Sequence, residues 1–400
     1  MAPDRHDDLL RFRPEFPILE RTNYLVSNSL GAMPRTVPER LAEYARLWAE
    51  QGVGAWGSAW WTMPVTVGDE IAPLIGAGPG EVAMVPNVTQ AQALILSAID
   101  FSRGRDTIVT TALDFPSVRY VTEAMARRFG ARVATVPSED GIGVDEGAIV
   151  AAIDERTALV TISHVLFRSA FVVDVDPIVK AAHGRGALVA LDAFHSAGVL
   201  PVNVQANGVD FLTGGVLKWL CGGPGGSFIY VAPGVRDILE PALAGWQAHA
   251  RPFAFEPSME YAAGIARWLG GTPPIPALYA AAEGPRILRR AGIEAVRAKS
   301  VRQTTRLVAL ADERGYPVSA PRDATRRGGT VAFDVPHGYE VSRALIAQEI
   351  IVDYRPGAGI RIAPHFYTTD GEIDAAVDAI EEILDRGTWR EFEGGRETVT

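Results

Sequence analysis

The sequence predicts an α/β fold with a mostly parallel sheet, followed by a smaller α+β domain. In the middle of the 400-residue chain, short β-branched runs alternate with amphipathic helical stretches, which is typical of parallel strands joined by covering helices. Beyond a Gly- and Pro-rich stretch at 255–285, a long helical segment leads into three more strand-like runs and a final helix. A hydrophobic content of 48% supports one large core and a second, smaller one.

Six runs in the central part of the chain are predicted to be buried strands, because each is rich in branched or aromatic apolar residues. They are residues 106–111, 132–136, 158–163, 187–192, 209–213 and 227–231. Helices are predicted between several of them, at 117–129, 145–153 and 176–185. Helices alternating with strands in this way cover both faces of a parallel sheet.

The C-terminal part of the chain carries a second set of elements. We predict a long helix at 286–314, strands at 329–334, 349–354 and 359–363, and a final helix at 370–384. We therefore expect a large domain at 51–285 and a small domain at 286–400. Residues 1–50 are expected to pack on the small domain or on a partner subunit.

Composition excludes several function classes. A formal charge of −10 argues against nucleic-acid binding, and no apolar run is long enough to span a membrane. The polar N-terminus lacks the apolar region of a signal peptide, and the single cysteine, Cys221, excludes an internal disulfide. We expect a cytoplasmic protein, and we assign no metal-binding residues.

Lys218 is the most informative residue, because only three of the 38 Lys and Arg residues are lysines. It lies between two glycine clusters, about 26 residues after Asp192, which ends a predicted strand. Ligands of open α/β sheets bind beyond the carboxyl ends of the strands. An amine that can form a Schiff base, together with a carboxylate that keeps a pyridine nitrogen protonated, is what a pyridoxal 5'-phosphate (PLP) enzyme needs. Lys180 and Lys299 fall on amphipathic helices and are expected to be solvated.

Four further positions have a functional and a structural interpretation. His195 could hydrogen-bond the cofactor or carry protons, or it could be a structural histidine. The segment 86–96 starts a helix whose first N–H groups could bind phosphate with Thr89, or simply be capped. Phe115 could stack on the cofactor or belong to the core. Arg361 lies in an apolar strand. It could be a charge that keeps an edge strand from pairing with another chain (an edge device), or a clamp for a substrate carboxylate.

In this order, these segments resemble the class V branch of fold-type I PLP enzymes, and most closely the bacterial kynureninases. The resemblance covers most of the chain and is most specific at its centre. Its motifs are Asn28-Ser-Leu-Gly-Ala-Met-Pro34, Phe115-Pro-Ser117, Asp192-Ala-Phe-His-Ser-Ala-Gly198, Lys218 with Gly222-Gly-Pro-Gly225, and the segments 245–255 and 264–274.

The resemblance implies an aspartate aminotransferase-like fold with a seven-stranded sheet, a PLP cofactor, and a homodimer with active sites at the subunit interface. It implies that Lys218 binds the cofactor covalently, that Asp192 pairs with its ring nitrogen, and that Phe115 covers its ring. The implied phosphate ligands are Val88, Thr89, Trp246 and Thr272, the last from the second subunit. Arg361 is implied to bind the substrate α-carboxylate, and Asn28 and Ser29 to border the substrate.

Three departures from the kynureninase pattern leave the reaction open. Kynureninases carry Tyr immediately before the Schiff-base lysine, where this chain has Leu217, and Asp after their Phe-Pro-Ser motif, where it has Val118. The run from Arg361 to Tyr367 resembles the epimerases and cysteine lyases of class V more than kynureninases.

The resemblance thus implies cleavage of an L-amino acid beyond Cα, as when kynurenine is hydrolysed to anthranilate and alanine. Alternatives are a C–S β-lyase or a decarboxylating oxidative deaminase acting on a cysteine conjugate, and an aminotransferase or epimerase. A cysteine desulfurase is disfavoured because no cysteine follows Cys221. From another class, the chain could be a catalytically idle PLP-fold domain used for sensing or scaffolding.

Overall fold

A computed structural model describes residues 7–102 and 104–394 of the protein. The strands are β1 Asn23–Tyr24, β2 Val82–Val85, β3 Thr107–Thr111, β4 Arg132–Val136, β5 Thr157–Ser163, β6 Leu188–Asp192, β7 Phe211–Gly215, β8 Ser227–Val231, β9 Val331–Phe333, β10 Ile350–Ile351, β11 Asp353–Arg355 and β12 Gly359–Ile362.

The α-helices lie between these strands or follow them. They are α1 Val37–Gln51, α2 Met63–Ile71, α3 Val88–Ala98, α4 Pro116–Phe129, α5 Glu146–Ala151, α6 Asp176–Gly184, α7 Val204–Asn207, α8 Pro233–Arg236, α9 Ile275–Ala281, α10 Glu283–Ala291, α11 Ile293–Glu313, α12 Gly338–Ala347 and α13 Asp370–Arg386.

The large sheet has seven strands in the order β2-β8-β7-β6-β5-β3-β4. The strands from β4 to β7 run parallel, and β8 is antiparallel to both of its neighbours. The predicted α/β fold with a mostly parallel seven-stranded sheet is therefore confirmed. Register places Asp192 opposite Ser163 on one side and Thr213 on the other, so its carboxylate lies at the carboxyl edge in the middle of the sheet.

The sequence prediction was wrong or incomplete at four elements of this framework. The single strand predicted at 349–354 is two strands, β10 and β11, which belong to different sheets. The segment 132–136 was predicted to be buried, but β4 is the edge strand and only Val136 is buried. The seventh strand, β2, was not predicted, because its four residues are too few to show a period. The long helix at 286–314 is two helices, separated at Gly292, whose φ of +82° ends α10.

The smaller sheet is antiparallel and has the order β11-β12-β9, with α11 and α12 packed on it and α13 packed against these two helices. Arg361 lies on the central strand, β12, so it is not an edge device. The N-terminal segment reaches this part of the chain: β1 pairs in parallel with β10, and the Phe16 ring packs 4.8 Å from that of Tyr367. We keep the expected division at residues 50 and 285 as a proposal.

The two lysines other than Lys218 differ in their surroundings. Lys180 is exposed on α6, as expected. The expectation that Lys299 is solvated was wrong, because its side chain is buried. Its Nζ donates to the carbonyl oxygen of Phe366 at 2.7 Å and lies 2.8 Å from Oδ2 of Asp7. These partners are distant in sequence, so the helical pattern around Lys299 did not reveal its burial.

Among the described residues, we find no helix whose length and apolar content would let it cross a bilayer.

The N-terminal segment and the Lys218 turn meet at Gly31. Its N–H donates to the carbonyl oxygen of Leu217 at 2.8 Å, and a Cβ at this position would lie 2.1 Å from the carbonyl oxygen of Lys218. Only a residue without a side chain allows the two backbones to approach so closely.

We predict that Gly31→Ala lowers the free energy of unfolding by roughly 1–3 kcal/mol, because the new methyl group must push the Lys218 turn aside. Denaturant unfolding of the purified protein measures this change. Gly371→Ala is the matched control, since nothing lies within 4 Å of a Cβ at that position in α13. Equal stability of the two variants would contradict the close contact.

Candidate active site

A cavity of about 280 Å³ lies beyond the carboxyl end of β6, near the lower end of the roughly 300–1,000 Å³ found for small-molecule sites. Residues from the large sheet, from the smaller sheet and from the N-terminal segment meet there. The lining residues are Asn28, Ser29, Val88, Phe115, Phe167, Asp192, Phe194, His195, Leu217, Lys218, Arg355 and Arg361. Eight of the predicted site residues are thus brought together.

The connection between β7 and β8 positions Lys218 through a set of tight backbone contacts. The Cys221 N–H donates to the carbonyl oxygen of Lys218 at 2.9 Å, and the Gly222 N–H donates to that of Val216 at 2.7 Å. The flanking glycines permit this packing: a Cβ at Gly222 would lie 2.7 Å from Cβ of Val216. The glycine clusters noted in the sequence therefore hold the lysine-bearing turn against the core.

The amine of Lys218 is buried, and burial lowers its pKa to about 7. The positive charge of Arg361 contributes to this lowered value, whereas the negative charge of Asp192 opposes it. A neutral, nucleophilic form of the amine is therefore accessible at neutral pH. Nζ lies 5.0 Å from the ring centre of Phe194 and 5.4 Å from that of Phe115.

His195 lies directly beside the lysine, with Nε2 2.6 Å from Nζ of Lys218. Burial and the neighbouring Lys218 charge hold the pKa of His195 well below its usual value. The imidazole is therefore neutral, and Nε2 can accept a hydrogen bond from the lysine amine.

Asp192 supplies a carboxylate on the sheet side of the same cavity. Its Oδ1 accepts a hydrogen bond from the Phe194 N–H at 2.9 Å, and Oδ2 accepts none within the described ranges. Burial raises the pKa of Asp192 to about 6, against the opposing effects of this hydrogen bond and of Lys218. A buried carboxylate with a free oxygen is suited to bind a cationic N–H, such as that of a pyridinium ring.

Helix α3 begins at the cavity. Oδ1 of Asn87 accepts the Gln90 N–H at 3.0 Å, so the capping role expected in this segment is present. The first N–H groups of the helix, at Val88 and Thr89, keep the positive end of the helix dipole available to an anion. Val88 lines the cavity, whereas the Thr89 side chain is exposed and does not.

Arg361 is held by a carboxylate of the protein itself. Register places it opposite Asp353, and Nε and Nη2 lie 2.8 and 2.5 Å from the two carboxylate oxygens. Its Nη1 donates to the carbonyl oxygen of Phe167 at 2.6 Å. Burial would raise the pKa of Asp353, but the hydrogen bonds and charge of Arg361 outweigh it and keep that pKa low. Arg361 thus makes a two-point contact with Asp353, and its predicted contact with a substrate carboxylate stays a prediction.

Asn28 and Ser29 line the cavity in different ways, and their predicted contact with a substrate stays a prediction. The Asn28 amide is buried, yet neither its nitrogen nor its oxygen has a hydrogen-bond partner in the described chain. Such a group destabilises the protein unless a ligand or water satisfies it. Ser29 is already engaged, because its Oγ donates to Oδ2 of Asp353 at 2.5 Å.

Three predicted phosphate ligands do not line this cavity. Besides Thr89, these are Trp246, which is 42% exposed and donates to the carbonyl oxygen of Pro252 at 2.6 Å, and Thr272. Thr272 lines a neighbouring cavity of about 390 Å³ that also includes Pro86 and Gln90. Their assignment as phosphate ligands stays a proposal.

Sequence reasoning missed three of the lining residues. Phe194 lies inside the conspicuous run from Asp192 to Gly198, and Arg355 is six residues before Arg361, so both had a local signal. Phe167 follows β5 with no distinguishing pattern. The two residues that differ from the kynureninase motifs have different positions. Leu217 lines the cavity, whereas Val118 is buried in α4 and does not line it.

The sequence matches a family model and many curated proteins. Residues 23–367 match the model of the family "Aminotransferase class-V". The chain is 33% identical to a kynureninase of Burkholderia pseudomallei (strain K96243) over 403 residues, covering 98% of this chain and 96% of that protein. It is 34% identical to a kynureninase of Pseudomonas fluorescens over 406 residues, with 97% and 95% covered.

Solved structures share the fold at lower identity. A cysteine desulfurase from Thermococcus onnurineus NA1 in its apo form superposes with a TM-score of 0.83 at 23% identity, covering 96% of this chain and all of that one. The cystine C-S lyase C-DES, in complex with its product cysteine persulfide, gives 0.83 at 21%, with 91% and 98% covered. At these identities the likeness establishes the fold.

We predict that Asp192→Asn lowers the pKa of the Lys218 amine, because it removes the negative charge that favours the protonated form. The rate at which acetic anhydride modifies Lys218 in the apoprotein, followed by peptide mass spectrometry, should rise with pH around a midpoint near 7. In the variant that midpoint should move to lower pH. Asp154→Asn, at an exposed position, is the matched control. An unchanged or higher midpoint in Asp192→Asn would contradict this account of the site.

Proposed function

The chain belongs to the aminotransferase class-V family and is a PLP-dependent enzyme; from this premise we propose that it cleaves a side-chain bond of an L-amino acid, as kynureninases do. The observation that carries the proposal is the buried Lys218 amine, whose pKa is lowered to about 7, in one cavity with Asp192 and Arg361. The kynureninases that it resembles over nearly their whole length support this reaction class.

The residues present fit PLP. Lys218 would bind its aldehyde carbon, Oδ2 of Asp192 would accept its ring N–H, and Phe115 would cover its ring. The N–H groups that begin α3 would bind its phosphate. When bound, PLP supplies an electron-withdrawing ring that stabilises negative charge at the substrate Cα.

The side chains of this protein would do the remaining work. Arg361 would orient the substrate carboxylate, and the unpaired Asn28 amide would donate to the substrate or accept from it. Lys218 is poised to take a proton from Cα, because its amine is partly neutral at pH 7. His195 would hold the amine in place by accepting a hydrogen bond from it through the 2.6 Å contact.

The reaction that we propose first is hydrolysis of L-kynurenine or a close analogue. The bond between Cβ and the aryl carbonyl carbon breaks; the hydroxyl of water joins the carbonyl carbon, and Cβ gains a proton. The products are anthranilate and L-alanine, so no oxidant or reductant is consumed.

A second candidate is β-elimination from an S-substituted L-cysteine, and Leu217 favours it. Kynureninases carry a tyrosine before the lysine, and Leu217 offers no hydroxyl group to the cavity that it lines. Loss of a thiolate from Cβ needs little proton donation, since thiols are acidic compared with carbon. The released thiol and a 2-aminoacrylate that hydrolyses to pyruvate and ammonia would be its products.

We also propose that two copies of the chain form a cytoplasmic homodimer. Large hydrophobic side chains remain exposed near residue 250, including Trp246 at 42%, Phe253 at 62% and Phe255 at 74%. The Trp246 ring contacts both phenylalanine rings, and a second copy would remove all three from water. Thr272 of one copy would then bind the phosphate held by the partner subunit.

The deciding assay offers the PLP-loaded protein L-kynurenine and an S-alkyl-L-cysteine in parallel. We expect fluorescent anthranilate and L-alanine from the first substrate. Thiol and pyruvate with no anthranilate would contradict the proposed hydrolysis and support β-elimination. The difference would then be attributed to Leu217. Leu217→Tyr should then restore some anthranilate production. Production of a 2-oxo acid and pyridoxamine phosphate in place of either product set would contradict both and identify an aminotransferase.

A further inference from the structure

Arg355 is a second arginine at the cavity, on the strand next to that of Arg361. It follows Asp353 by two residues on β11, so both side chains lie on the same face of the small sheet. The two arginines differ in access: 33% of the Arg355 side chain is exposed, against 3% for Arg361. Arg355 is the basic group that an incoming ligand reaches more easily.

Arg361 has few donors left for a ligand. A guanidinium carries five N–H groups. Two of those of Arg361 bind Asp353, one binds the carbonyl oxygen of Phe167, and Nη2 makes a longer contact of 3.3 Å with Oγ of Ser29. Within the described chain, this leaves one N–H of Arg361 without a partner.

Arg355 is loosely bound by comparison. Its short hydrogen bond goes from Nη1 to the carbonyl oxygen of Tyr354, at 2.9 Å. Its Nη2 lies 3.3 Å from Oδ2 of Asp353 and 3.4 Å from Oγ of Ser29, both long for charge-assisted contacts. Its Nε has no hydrogen-bond partner among residues 7–102 and 104–394. Several N–H groups are therefore available to an anion.

The charged side chains of this cluster carry one net positive charge, which matches the charge of one bound carboxylate. Asp353 carries one negative charge and is fully buried, while Arg355 and Arg361 carry two positive charges. The bidentate contact with Arg361 already uses the Asp353 charge. The net positive charge left to attract a ligand is therefore that of Arg355.

We propose that Arg355 binds the substrate α-carboxylate together with Arg361, supplying the positive charge that Asp353 neutralises on Arg361. This inference rests on the proposed function, which supplies an amino-acid substrate. Asp353 and Ser29 then act as positioning residues, because they hold the two guanidinium groups side by side. A carboxylate bound by two arginines accepts shorter, better-aligned hydrogen bonds than Arg355 makes now.

The test measures binding of propionate, which has a carboxylate and no amine, to the PLP-loaded protein by titration calorimetry. We expect Arg355→Gln to raise the dissociation constant on the order of tenfold to a hundredfold, because charge-assisted hydrogen bonds are lost. Arg355→Lys should recover part of the affinity, since it restores charge without the planar fork. Affinity for ethylamine, which has no carboxylate, should not change.

Arg128→Gln is the matched control, because it removes the same charge at an exposed position in the last turn of α4. Thermal unfolding of each variant checks that it is folded. In the apoprotein, Arg355→Gln should also raise the pKa of Lys218, because the positive charge of Arg355 lowers that pKa. If Arg355 only stabilises the surface structure, Arg355→Gln should leave propionate affinity unchanged.

Equal propionate affinity in wild type and Arg355→Gln would overturn the inference. So would a loss confined to dicarboxylates such as succinate, which would assign Arg355 to a second acidic group of the substrate. If the wild-type enzyme cleaves an amino acid but Arg355→Gln binds propionate as tightly as wild type, only this inference is wrong and the proposed function stands. If the wild-type protein cleaves no amino acid, the proposed function is wrong. The comparison of propionate affinities still decides whether Arg355 binds a carboxylate.

Discussion

Burial of the Lys218 amine in a cavity that also contains two arginines is the constraint on which the rest of the structure depends. Burial and the charge of Arg361 both disfavour the protonated amine, and Asp192 opposes them only in part. The lysine therefore retains a much larger neutral fraction at physiological pH than an exposed lysine has. The chain must fix the positions of these charges closely, because their effect on the amine depends on distance.

Two sheets fix those positions together. The large sheet delivers Asp192 at the end of β6 and Lys218 in the turn after β7, whereas the small sheet delivers Arg361 on its central strand. The N-terminal segment joins them: Gly31 contacts the backbone of the Lys218 turn, and Ser29 bonds to Asp353. Because the site includes all three parts of the chain, its geometry depends on their packing and not on a single loop.

Local patterns in the sequence predicted six of the seven strands of the large sheet but not the pairings at the site. Strands such as β6 and β8 were predicted because burial requires continuous apolar runs. The Asp353–Arg361 pair and the position of Arg355 depend on the register between β11 and β12, which no local pattern encodes. The burial of Lys299 depends likewise on a carbonyl group 67 residues away, at Phe366. Lys218 and Asp192 were identified because their chemistry leaves a compositional signal: a rare lysine, and a carboxylate at a strand end.

The most direct measurement of the central claim is the location of the cofactor on the chain. Sodium borohydride converts a lysine–PLP bond into a stable amine, and peptide mass spectrometry then identifies the modified residue. The account predicts the modification at Lys218 and none at Lys180 or Lys299, with Lys218→Ala protein left unmodified. Modification at either of the other two lysines, or an unchanged yield in Lys218→Ala, would contradict it.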